Sequence, residues 1–300
     1  MKRLMMNLIA GMLLLVATGG AAQADTLYGA TGSHGVNGEL YILNPADGSI
    51  MTDVGPLVDA TNNHYGLTGL RFNTITGLLY GSTTRQSPTD PGWLVTVNPM
   101  TALVVPLGPY GLGTSTMSDL AFDSTTGPTG TMYGVSGGSS NFYFINQLTG
   151  AATVVGPTGL GPQFGGGLAA NSTGTVYGAS TPSTLSLYTY NKSTGAATLV
   201  TPLTGATFNE VNALAFDASD ALFGVNTNNS GTNPALTHLI TINTSSGAVT
   251  DLGASVNNLD ALAWQVSAVP EPATLFLLGS GLAGLAAWRR KKVEQAVGGI

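Results

Sequence analysis

There is no cysteine anywhere in this 300-residue chain. That absence excludes a disulfide framework, a thiolate metal site and a thiol nucleophile together. Charge is also scarce: only 8% of residues are Asp, Glu, Lys or Arg, and residues 25–266 hold just three cations, Arg71, Arg85 and Lys192. Against 13 carboxylates in the same stretch, they leave it near −10, whereas the whole chain stands at −6. An acidic surface repels polyphosphate, so nucleic acid is no fit partner. Histidine is limited to His34, His64 and His238, without H-E-x-x-H or any paired spacing. An Asp-x-Asp-x-Asp-Gly calcium loop is missing too, and no metal or cofactor is expected. Helical periodicity is absent from residues 25–266, yet the apolar content is too high for a disordered chain.

The charge that is missing from the middle sits at the ends. Lys2 and Arg3 precede an apolar core from Leu8 to Val16, and Ala22-Gln23-Ala24 is a small-x-small cleavage site before Asp25. Residues 1–24 therefore read as a signal peptide that is removed on export. At the other end, Val269-Pro270-Glu271-Pro272 leads into 16 uncharged residues, 273–288. These stop at Arg289-Arg290-Lys291-Lys292. The segment is slightly shorter than the roughly 20 residues of a typical membrane span. Each cation would cost about 2.5–3.5 kcal/mol at the bilayer centre, so the four act as a stop and favour a cytoplasmic tail, 289–300.

The order Pro-Glu-Pro, apolar segment, basic cluster resembles the PEP-CTERM sorting signal of Gram-negative, exopolysaccharide-producing bacteria. The resemblance covers about a tenth of the chain. It implies export, with Pro270, Glu271 and Pro272 as the motif read by a membrane-embedded exosortase. The destination implied is the cell envelope, the surface or the medium. A plain tail anchor is the simpler alternative. Neither reading names an activity.

Between the signals the sequence repeats itself. An aromatic-Gly step occurs five times, at Tyr28-Gly29, Tyr80-Gly81, Tyr133-Gly134, Tyr177-Gly178 and Phe223-Gly224, with spacings of 52, 53, 44 and 46. An Asn that closes an apolar run follows each step: Asn44, Asn98, Asn146, Asn191 and Asn243. Four short strands per unit account for the rest, the first of Leu-Ala-Phe-Asp type, as at Leu120–Asp123 and Leu214–Asp217. Units of about 48 residues with four strands match a propeller blade.

The ends of the array are the most informative part. The first unit lacks a strand one before Leu27, and the last is followed by an orphan, Leu259 to Trp264. The expectation is an all-β, five-bladed propeller of residues 25–266, closed by its C-terminal strand. The Pro-Glu-Pro linker, 267–272, and a transmembrane sorting helix, 273–288, follow it. An open solenoid of the same repeats would not need the orphan.

Loop lengths divide the two faces. Turns from strand one to two and from three to four are tight, whereas loops from two to three and between blades are long. The long loops share one face, which is the expected binding face. His34 and His64 fall there, and Asp119 and Asp260 are expected just before strand one, facing the central channel. A solvated loop histidine is the plainer reading of the first two. Asp123 and Asp217, replaced by Asn73 and Asn171 in other units, suit turn-tying better than acid chemistry. Gly134-Val135-Ser136-Gly137-Gly138 matches G-x-S-x-G but lacks the strand-to-helix elbow a nucleophile requires. Three functions remain open. One is a non-catalytic binding or structural protein of the cell surface, exopolysaccharide or biofilm matrix. The second is a lectin-like glycan binder, and the third is a polysaccharide hydrolase or lyase using Asp119 and Asp260.

Overall fold

In the computed structural model the described residues are 25–266, apart from 114, 163–165, 181–183 and 229–232. The signal peptide (1–24), the Pro-Glu-Pro linker, the membrane segment and the basic tail expected above lie outside the described residues. The first three strands are β1 (Thr26–Thr31), β2 (Glu39–Leu43) and β3 (Ile50–Pro56). Next come β4 (Leu67–Phe72), β5 (Leu79–Thr83), β6 (Trp93–Val97) and β7 (Val104–Pro109). A third group is β8 (Met117–Asp123), β9 (Thr131–Ser136), β10 (Asn141–Ile145) and β11 (Ala152–Pro157). A fourth is β12 (Leu168–Ala170), β13 (Val176–Ser180), β14 (Ser186–Tyr190) and β15 (Ala197–Pro202). The last five are β16 (Glu210–Phe216), β17 (Leu222–Thr227), β18 (Thr237–Ile242), β19 (Val249–Ala254) and β20 (Leu259–Gln265).

These strands form five four-stranded antiparallel sheets, one of them ordered β20-β1-β2-β3. The propeller is therefore closed as expected: β20 is the inner strand of the blade that β1 begins. Thr26 pairs with Gln265, Leu27 with Trp264 and Tyr28 with Ala263.

Each repeated residue has a packing reason. The glycine after the aromatic lies under the large side chains of strands one and three. A Cβ on Gly29 would stand 2.7 Å from Leu43 Cδ1 and 2.8 Å from Leu259 Cδ1; on Gly134 it would meet Met117 Sδ at 2.8 Å. The aromatic itself packs between blades. Tyr28 lies against Phe72 at 5.6 Å, Tyr177 against Phe216 at 5.5 Å and Phe223 against Trp264 at 5.2 Å. Each pair joins strand two of one blade to strand one of the next and adds about 0.5–1.5 kcal/mol beyond its buried area. In the fourth blade strand one carries Ala170 where others carry Phe or Trp. Here Tyr133 stacks on Phe142 at 5.1 Å, and Phe142 on Tyr190 at 5.2 Å.

The Asn turns are alike in detail. Asn191 Oδ1 accepts the N–H of Ser193 (2.9 Å) and Thr194 (3.0 Å), and the Gly195 N–H reaches Asn191 O at 2.8 Å. Asn243 repeats the set with Ser245, Ser246 and Gly247. The fifth residue has a left-handed φ, 77° at Gly195 and 73° at Gly247, which favours glycine there. Strand-one carboxylates and amides act likewise, as expected: Asp217 Oδ1 accepts Ser219 and Ala221 N–H, and Asn73 Oδ1 accepts Ile75 and Thr76 N–H.

Candidate functional site

The propeller axis is lined by inner strands β20, β4, β8, β12 and β16, each with a sheet neighbour on one side only. Aligned on their common Leu, the positions just after it are Arg71, Ala121, Ala169, Ala215 and Ala263. The positions just before that Leu are Gly69, Asp119, Gly167, Ala213 and Ala261. Small residues thus leave a core along the axis that one arginine and one aspartate fill. Arg71 Nε donates to Leu120 O at 2.9 Å, and its Nη2 donates to Leu168 O at 2.8 Å and to Leu214 O. Asp119 accepts the N–H groups of those same residues: Leu120 at 2.8 Å, Leu168 at 2.8 Å and Leu214 at 3.1 Å. The pair caps one residue on the axial side of each of three inner strands, and its own Nη2–Oδ2 separation is 3.8 Å.

Asp119 is fully buried, and burial pushes its carboxyl up to about 7, against the lowering pull of Arg71 and the three N–H groups. Burial likewise lowers the Arg71 guanidinium, with Asp119 opposing. Asp119 and Asp260 were expected before their strands, but both lie inside them. The reason is a register shift at the start of the inner strand, between Met117 and Asp119 in β8 and opposite Ala30/Thr31 in β20. Pairing resumes upstream of the bulge, so the strand begins earlier than its Leu-Ala-Phe-Asp core. Asp260 is buried and accepts Asn212 Nδ2 at 2.7 Å. Asp119, with its oxygens turned to backbone donors, is no part of a loop-built ligand face.

The elaborated face holds two other clusters. At the first, the loops that carry His34 and His64 are joined by the Gly38 N–H to Tyr65 O, at 2.8 Å. Both histidines are half-buried. The buried Tyr65 hydroxyl lies 3.3 Å from Asp59 Oδ2 and 3.2 Å from Asp90 Oδ2, and burial first, then the two carboxylates, raise it above the usual phenol range. Asn63 and then Thr61 hold Asp59 well below the usual carboxylate range by donating to it. Among the described residues, no group of His, Asp and Glu has metal-binding geometry.

The second cluster is a cavity of about 360 Å³ between the fourth blade's strand-two loop and the segment leading to the fifth blade. Thr184, Leu185, Leu203, Gly205, Ala206, Phe208 and Asn209 line it, all uncharged. Phe208 is fixed from behind. Its N–H donates to Asn226 Oδ1 at 2.9 Å, and its ring meets the His238 ring edge-on at 5.3 Å. His238 Nδ1 in turn lies 2.7 Å from Asp251 Oδ2, which also accepts Thr207 Oγ1. Burial alone would raise Asp251, but Thr207 and His238 hold it below the usual range. The arrangement presents one fixed aromatic ring, hydroxyl and amide groups and no net charge. Sequence reasoning passed over it because His238 and Asp251 are 13 residues apart in different strands.

Residues 268–291 match the PEP-CTERM protein-sorting motif. This chain carries that motif. PEP-CTERM sorting marks it as an exported protein, handled by an exosortase and directed to the cell envelope or surface of a Gram-negative bacterium. No curated protein matches the chain. Among solved structures, a chain of a nidogen/laminin complex is similar with a TM-score of 0.52 and 12% identity, covering 81% of this chain and 99% of that one. A protein of unknown function from Bacteroides caccae is similar with a TM-score of 0.48 and 11% identity, covering 80% and 99%. At 12% identity the first of these likenesses speaks to fold alone.

Proposed function

We propose that the PEP-CTERM chain is a non-catalytic binding propeller of the cell surface or exopolysaccharide matrix, and that its ligand is a neutral, hydroxyl-rich glycan. The observation that carries this reading is the cavity beside Phe208. Its lining is uncharged, its one ring is met edge-on by His238, and the backbone that carries the ring is bonded to Asn226. A pre-formed concave site with few, well-placed polar groups is the usual form of a ligand site. The acidic domain around it disfavours polyanions, leaving neutral polymers as the fitting class. The hydrolase or lyase reading draws no support from Asp119, whose oxygens are committed to backbone N–H groups.

A lectin-like propeller with five equivalent sites is the second reading, favoured by the repeat itself. Against equivalence, the loops differ in length and composition from blade to blade. Affinity gel electrophoresis in neutral exopolysaccharide tests the proposal, with calorimetry giving the stoichiometry. Retardation that Phe208→Ala abolishes, with one glycan site per chain, is expected. Five sites per chain would favour the lectin reading. Unretarded protein, or release of sugar fragments from the polymer, would overturn the proposal.

A further inference from the structure

The two ends of the propeller domain leave from one place. Strand one runs from the elaborated face to the tight-turn face, and strand two runs back. Thr26, at the start of β1, pairs with Gln265, at the end of β20. Both exits therefore lie on the tight-turn face, in the first blade. Six residues, 267–272, separate Val266 from the apolar stretch of the sorting motif. Fully extended, they reach about 20 Å. That is shorter than the width of the domain, whose expected radius of gyration is about 18 Å.

The same face carries an unusual apolar sector. Met100 and Leu148, at the tips of Asn turns in the second and third blades, are 78% and 83% exposed. Ile75 and Leu78, in the second blade's other turn, are 45% and 47% exposed. That turn is joined to the Leu148 turn by Asn73 Nδ2 donating to Gln147 Oε1 at 2.7 Å. Ile50 and Met51 extend the surface to the first blade, where the exits lie. The three turns 73–79, 98–103 and 146–151 contain no charged residue, whereas the first blade's turn holds the exposed Asp47 and turns of the fourth and fifth blades hold Lys192, Asp217 and Asp220.

We propose that, while the sorting tail anchors the chain, this apolar sector rests on the lipid surface and the elaborated face points away from it. The inference rests on the tail being membrane-inserted. What selects lipid as the occupant is where the chain leaves the domain, how short the linker is, and the absence of charge from turns 73–79, 98–103 and 146–151. Exposed apolar patches rimmed by polar residues mark interaction surfaces, and interfacial binding scales with the apolar area buried. With no exposed cation in the sector, the contact does not depend on anionic lipid. Release by the exosortase would then free the sector together with the domain.

A chain without cysteine makes the test direct. Full-length protein with Leu148→Cys, or with Ala60→Cys on the elaborated face, carries one environment-sensitive fluorophore. It is reconstituted in phosphatidylethanolamine nanodiscs, with and without phosphatidylglycerol. The expected result is a blue-shifted Leu148 probe quenched by headgroup-level lipid quenchers, a wet Ala60 probe, and no change with salt or phosphatidylglycerol. Replacing Met100 and Ile75 by Ser should weaken the Leu148 quenching at least twofold. A chain that fails to co-elute with the disc overturns anchoring and docking together. A chain that co-elutes with Leu148 as wet as Ala60 overturns docking alone. Shielding that grows with the number of chains per disc points to a second copy and overturns the lipid contact.

Discussion

Arg71 and Asp119 meet on the propeller axis and between them bind both backbone polar groups of the same three residues. The guanidinium takes the carbonyls of Leu120, Leu168 and Leu214, and the carboxylate takes their N–H groups. Inner strands of a propeller have no neighbour on the axial side, so these groups would otherwise be buried unpaired, at roughly 1–3 kcal/mol each. One ion pair supplies what a further strand would have supplied.

Arg71→Met should therefore be among the most damaging substitutions in the domain. It leaves Asp119 buried without a cation and removes the donors to three carbonyls. The expected loss is about 3–5 kcal/mol of unfolding free energy, read from urea denaturation on the alkaline side of about 7, where Asp119 is ionised. Arg71→Met combined with Asp119→Leu should lose less than the sum of the single variants, because no lone charge remains. Additive losses, or a single-variant loss under about 1 kcal/mol, would mean that the axis repacks without the pair.

Stability should also fall as pH rises from the ordinary carboxylate range to about 7. Across that window the folded chain keeps a proton on Asp119, since burial holds its pKa up at about 7, while the unfolded chain has lost it. A folded state that binds more protons is weakened by raising the pH. Asp123 and Asp251 act in the opposite sense. Burial would raise them, but Lys192 and Thr125 hold the first below its usual range, and Thr207 and His238 the second. Their contribution is present above the ordinary carboxylate value and is lost on further acidification. Denaturation midpoints should peak at mildly acidic pH, and Asp119→Asn should flatten the decline towards neutrality. An unchanged slope in that variant would assign it to other groups.

The repeat was legible because each marker answers a separate physical need. Glycine under Leu43 and Leu259, an aromatic between blades and an Asn at a five-residue turn recur wherever a blade recurs. The closure was legible because the array is offset by one strand. The axis was not. Arg71 differs from Ala121, Ala169, Ala215 and Ala263 only as one residue against four, and that contrast carries meaning only once the strands are known to surround an axis. Asp119 was misplaced because the bulge at the head of β8 hides three strand residues, Met117 to Asp119, upstream of the Leu-Ala-Phe-Asp core. The contact of His238 with Asp251 depends on a register shift between Leu239 and Ile240, which no spacing rule foresees.

Two glycine-to-alanine changes should separate flexible from rigid surroundings. An added Cβ on Gly134 meets Met117 Sδ at 2.8 Å and Ile145 Cδ1 at 2.9 Å, both at the ends of side chains. On Gly156 it meets Thr194 O at 2.1 Å, a backbone atom in the next blade's Asn turn. Gly134→Ala should cost under about 1 kcal/mol, and Gly156→Ala about 1–3 kcal/mol or more, because only the second forces two blades apart. Thermal melts of the two variants rank them; equal losses would show that the blade junction yields as readily as a side chain.

Ring closure makes the strongest demand on the C-terminal strand. β20 supplies the inner strand of the first blade, six paired positions along β1, and the Trp264 ring against Phe223 of the fifth blade. Deleting Leu259–Gln265 removes all three at once while leaving residues 266–300, and so the sorting motif, in place. Export should persist, whereas the product should lose its cooperative melt and be cut by protease at the first and fifth blades. The bared edge of β1 should also recruit other chains, so the deletion variant should elute as oligomers. Trp264→Ala is the milder companion, with an expected loss of about 3–5 kcal/mol and the ring still closed. In an open solenoid each blade would rest only on its sequence neighbours, and losing the last strand would fray one end. A deletion variant as resistant to heat and protease as the parent would therefore establish the solenoid and remove the axis on which Arg71 and Asp119 meet.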